Sequence, residues 1–64
     1  MIFTLRIMLR ERDIDFQWTV GSNEEADKLL GEILAAHATR GLLRAKGCCF
    51  DFTDVIGIAW DVQR

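Results

Sequence analysis

Residues 14–20 alternate without a fault: Ile14, Phe16, Trp18 and Val20 are apolar, and Asp15, Gln17 and Thr19 between them are polar. Successive side chains on a strand point to opposite faces, so this period of two predicts a strand with one buried side. Residues 2–9 repeat the pattern. Phe3, Leu5, Ile7 and Leu9 share one face, and Ile2, Thr4, Arg6 and Met8 share the other. Between the runs lies Arg10-Glu11-Arg12-Asp13, short and charged, which suits the loop of a hairpin. It has no Asn-Gly or Asp-Gly pair, so the tightest two-residue turns are not indicated.

Gly21 ends the second run. Ser22 followed by Glu25 is a capping box, in which hydroxyl and carboxylate each satisfy a free backbone donor. Glu24, Glu25 and Asp27 set negative charge at the positive end of a helix dipole. Ala26, Leu29, Leu30, Ile33, Leu34 and His37 recur at helical spacing. The spacing predicts a helix from Asn23 to Thr39, stopping near Gly41, with Arg40 beside its negative end. Residues 42–47 read as either a loop or a short strand. Cys48 to Phe52 reads as a strand, Thr53-Asp54 as a short connection, and Val55 to Val62 as the last strand with Ile56, Ile58, Trp60 and Val62 inward.

The expected fold is a single α+β domain over residues 1–64: ββαββ, a four-stranded, mainly antiparallel sheet with one helix packed on one face. Two hairpins joined by a helix predict a first and last strand that pair in parallel at the centre, since crossovers are right-handed. That architecture resembles the small immunoglobulin-binding domains of bacterial surface proteins. The segment Phe50-Asp51-Phe52-Thr53-Asp54-Val55-Ile56-Gly57-Ile58 resembles the chain ends of short, uncharacterised ββαββ proteins of bacteria and their phages. The resemblance implies a small accessory or regulatory protein with no assigned chemistry.

A chain of 64 residues buries a small core, worth about 3–5 kcal/mol. Half of its residues are hydrophobic, including Trp18, Trp60 and four phenylalanines. That apolar supply exceeds what one small core easily hides and predicts a protein partner or a homodimer. The net charge of −2 excludes the basic balance usual for binding nucleic acid through overall charge. No apolar stretch approaches the ~20 residues that span a bilayer, and the start lacks a signal-peptide pattern. No membrane association is expected, and the cytoplasm is the expected compartment. Cys48 and Cys49 are adjacent, an awkward geometry for a disulfide, and read as free thiols.

Little in the sequence points to catalysis or a cofactor. His37 with Cys48 would be a nucleophile pair or part of a zinc site, but zinc wants four spaced ligands. A catalytic pair also needs an oxyanion hole and a cleft. Asp51, Asp54 and Asp61 are too sparse for a calcium loop. Gly41 and Gly47 lack the Lys-Ser/Thr ending of a phosphate loop. Two partner-binding surfaces remain. In the expected topology Arg10, Arg12, Arg40, Arg44 and Lys46 gather at one end, and Glu24, Glu25, Asp27 and Asp54 at the other. That basic end suits an anionic partner. The outer sheet face, with Ile2, Met8, Val55, Gly57 and Ala59 rimmed by Arg6, Gln17, Thr19, Asp51 and Asp61, is laid out like a protein interface. The leading expectation is a small non-enzymatic interaction module. A nucleic-acid binder using the basic end and a structural subunit of a homo-oligomer are the alternatives.

Overall fold

The computed structural model describes residues 1–45 and 47–63. Its elements run β1 (Ile2–Met8), β2 (Asp13–Thr19), α1 (Asn23–Thr39), β3 (Leu42–Ala45), β4 (Cys48–Asp51) and β5 (Gly57–Gln63). The strands form a three-stranded sheet of order β2-β1-β5 and a separate two-stranded sheet of β3 and β4. The fold is therefore α+β with one helix, but the single four-stranded sheet is not formed.

The departure begins at residues 42–45. They pair with residues 48–51 in an antiparallel ladder, Leu43 opposite Phe50 and Ala45 opposite Cys48. A strand here adds one more chain reversal between helix and last strand. With that reversal β5 enters antiparallel to β1, Ile2 opposite Gln63 and Met8 opposite Gly57. The parallel central pair expected from the sequence does not exist, and the likeness to immunoglobulin-binding domains goes with it.

The helix starts as the capping box requires. Ser22 is extended, and its Oγ accepts from the Glu25 N–H at 3.2 Å. The Glu25 carboxylate accepts in return from the Gly21 N–H at 2.8 Å, one residue earlier than the usual reciprocal bond. Ala26, Leu29, Ile33 and Ala36 form the buried stripe. The helix closes with a Schellman arrangement: Gly41 N–H donates to the Ala36 carbonyl at 3.0 Å and Arg40 N–H to the His37 carbonyl at 3.3 Å.

β1 is the central strand, and its Phe3, Leu5 and Ile7 are fully buried. Leu43, Phe52 and Val55 join them from the second half of the chain. An aromatic run ties the two sheets together. Phe16 stacks on Trp18 at 5.7 Å and meets Phe50 edge-on at 5.6 Å, and Phe50 meets Phe52 at 5.5 Å. Such pairs add about 0.5–1.5 kcal/mol each beyond the area they bury. Val55, expected on the outer sheet face, is buried instead. The chain turns through residues 52–55, where Val55 N–H donates to the Phe52 carbonyl at 3.2 Å, and the turn presses Val55 into the core. The last strand begins only at Gly57.

Candidate functional site

Three chain segments meet at one end of the molecule. The β1–β2 loop is closed by the Leu9 N–H donating to the Arg12 carbonyl at 2.9 Å, which turns Arg10 and Glu11 outward. The helix C-terminus brings Arg40. The turn before β5 brings Thr53, Asp54 and Ile56, and the Ile56 N–H is tied to the Met8 carbonyl at 2.9 Å. Between them lies an open cavity of about 570 Å³, lined by Leu9, Arg10, Glu11, Arg12, Arg40, Thr53, Asp54 and Ile56.

Each wall is held by local chemistry. Arg40 sits in the left-handed region at φ 53°, a position that favours glycine. Its Nη1 donates to the Thr53 carbonyl at 3.4 Å, so the guanidinium lies against the turn. The turn itself is set by Asp51, whose carboxylate accepts from the Thr53 N–H at 2.9 Å and from the Thr53 hydroxyl. These bonds hold the Asp51 carboxyl below the usual carboxylate range, the hydroxyl contributing most. Ile56 stands on the rim and is 69% exposed, the most exposed large apolar side chain among the described residues.

The structure thus brings Arg10, Arg12 and Arg40 together and leaves Arg44 out. Arg44 lies in β3, which carries the chain back along the helix at ~3.3 Å per residue. There it lines a hollow with Glu25, Lys28, Leu29, Glu32 and Ala45. Lys46 lies outside the described residues. Asp54, expected at the opposite, acidic end, lines the basic cavity. The extra reversal through β3 places residues 52–56 at the end that holds the 9–12 loop. With Glu11 and Asp54 present, three guanidiniums face two carboxylates, an excess of one positive charge.

The outer sheet face is more polar than expected. Ile2, Arg6 and Ala59 are exposed and Met8 is half-buried. Met8 folds over Gly57, where a Cβ would come within 3.3 Å of the Met8 Cε. Arg6 lies opposite Ala59 on one side and Asp15 on the other. Its Nε donates to the Asp15 carboxylate at 3.0 Å. That bond raises the guanidinium above, and holds the Asp15 carboxyl below, their ordinary values. A hollow of about 190 Å³ over this pair is lined by Thr4, Arg6, Asp15, Ala59, Trp60 and Asp61.

His37 is half-buried, its ring 6.3 Å from Phe52, and among the described residues its Nδ1 has no hydrogen-bond partner. Cys48 begins β4, four residues before Phe52 in sequence and so ~13 Å along an extended chain. Cys48 is half-buried, and burial pushes its thiol up, while Cys49 is exposed. Among the described residues, no group of three or more His, Cys, Asp or Glu side chains is placed to hold a metal ion. No helix among them is long and apolar enough to cross a membrane. Sequence reasoning missed Thr53 and Ile56 as parts of the basic cavity. The Asp-x-Thr spacing at 51–53 was the available signal, since a carboxylate two residues before a donor makes a tight turn. Comparison with protein-family models, with curated proteins and with solved structures found no match.

Proposed function

We propose that this chain is a small, non-enzymatic interaction module of the cytoplasm that binds an acidic protein surface through the end carrying Arg10, Arg12 and Arg40. The observation that supports it is the convergence of these three guanidiniums, two from the 9–12 loop and one from the helix end 28 residues after Arg12, around one cavity with the exposed Ile56 on its rim. Arginine's planar fork suits bidentate recognition of carboxylates. A neighbouring desolvated apolar anchor is how interfaces gain affinity beyond charge steering. The resemblance of residues 50–58 to the chain ends of short bacterial and phage proteins fits an accessory role, as a regulator, inhibitor or adaptor.

The test is capture of partners by the tagged chain from lysate of its own host, with and without nuclease. The reading expects a protein retained after nuclease. Retention that vanishes with nuclease would replace it with nucleic-acid binding. Behind that alternative stands only the excess of one positive charge at the cavity, and the chain's net charge of −2 weighs against it.

A further inference from the structure

We propose that β5 is a dimerisation edge, pairing antiparallel with β5 of a second copy about a two-fold axis through Trp60. The first observation is an asymmetry between the two edges of the three-stranded sheet. β2 has Phe16 and Trp18 covered on the core side, stacked against each other and capped by Phe50. β5 has Trp60 opposite the fully buried Leu5, on the same side of the sheet, yet Trp60 is 45% exposed. At Trp60 the core side of β5 is therefore incompletely covered, although Ile58 and Val62 pack half-buried against the core, and the strand's outer edge has no partner strand among the described residues. The strand is seven residues long, without Lys, Pro or an inward charge, and Asp61 on its outer face is its only charged protection of a free edge.

The second observation is that the strand is complementary to itself. A continuous sheet must keep Ile58, Trp60 and Val62 on one side, which admits only registers that pair residues of like parity. The register centred on Trp60 uses the whole strand, Gly57–Gln63. It sets Ile58 against Val62 of the second copy, Trp60 against Trp60, and Asp61 against Ala59. Centring on Asp61 would oppose two carboxylates, which is unfavourable. Centring on Ala59 would shorten the ladder. The pattern thus suits a second copy of the same strand, and among the self-pairings it favours one register. A single seven-residue ladder is short for an obligate interface, so dimer formation should depend on concentration.

The experiment is sedimentation of the wild type, Ala59→Lys and Ala59→Glu from about 1 μM to about 1 mM. Ala59 is exposed on the outer face opposite Arg6, which favours glutamate and disfavours lysine there within one chain, so thermal melts at low concentration check that both variants are folded. Lysine at 59 meets Asp61 of the second copy twice by symmetry and should tighten the dimer by about 2- to 30-fold. Glutamate there meets the same carboxylate and should loosen it by a similar factor, although Arg6 opposite it within one chain favours the folded monomer. A wild type that stays monomeric throughout overturns the proposal. So does a dimer that the two variants leave unchanged or shift in the same direction.

Discussion

Arg40 donates from Nη1 to the carbonyl oxygen of Thr53 at 3.4 Å, linking the helix C-terminus to the turn that precedes β5. The link matters because Arg40 is an unfavourable residue where it stands. A side chain at φ 53° meets a steric cost that glycine avoids. Arg40→Gly should therefore stabilise the fold, by about 0.5–1 kcal/mol, while removing a guanidinium from the cavity. Urea denaturation checks the first effect. A less stable Arg40→Gly protein would mean that the bond to Thr53 outweighs the backbone cost.

The second sheet should prove structural rather than ornamental. Leu43 is 2% exposed and its neighbour Leu42 is 53% exposed, on the opposite face of the same strand. Leu43→Ala should cost about 2–5 kcal/mol, enough to unfold much of a domain this small. Leu42→Ala should stay within about 0.5 kcal/mol of wild type. Equal effects from the two substitutions would contradict the register of β3.

Acid should loosen the basic end through Asp51. Its carboxyl is held below the ordinary value by Thr53, so the charged form is favoured in the folded chain. The stability it contributes is present above the unfolded value of about 3.9. It is lost as pH falls below that value and through the depressed native one. Asp51→Asn should flatten this part of the acid limb, and so should Asp15→Asn, whose carboxylate is held by Arg6. Stability followed by circular dichroism between about pH 2 and pH 6 reads both. An unchanged acid limb in both variants would contradict the turn and the ion pair.

The adjacent thiols should differ in reactivity. Cys49 is exposed, whereas Cys48 is half-buried and its thiol is pushed up by burial, so less of it is thiolate near neutral pH. Alkylation followed by peptide mass analysis should find Cys49 modified first. Preferential labelling of Cys48 would mean that β4 faces the other way.

Much of the fold was legible in local pattern. The alternation of residues 2–9 and 14–20 marked the first hairpin, and Ser22 with Glu25 marked the helix start. What could not be read was residues 42–45, where Leu42 and Leu43 lie side by side and Arg44 follows. Two adjacent leucines fit a loop as well as a strand of four residues. That short strand decides the direction of β5, and with it the place of Asp54 and Arg44. Trp60 shows a similar limit: alternation gave its side of the sheet correctly, but periodicity cannot say whether an edge strand is covered. The basic end was legible in part, because Arg10, Arg12 and Arg40 flank elements whose order was clear. Ile56 was misplaced: alternation set it inward on a strand from Val55, whereas β5 begins only at Gly57 and Ile56 is exposed in the turn before it.

The central claim is that Arg10, Arg12 and Arg40 act together on a protein partner. It is tested most directly by comparing the wild type with Arg10→Glu/Arg12→Glu/Arg40→Glu as tagged baits in nuclease-treated lysate of the host. All three residues are exposed, so the variant should remain folded by circular dichroism. The account expects the protein retained by the wild type to be lost from the folded variant. Undiminished retention by the variant would contradict it.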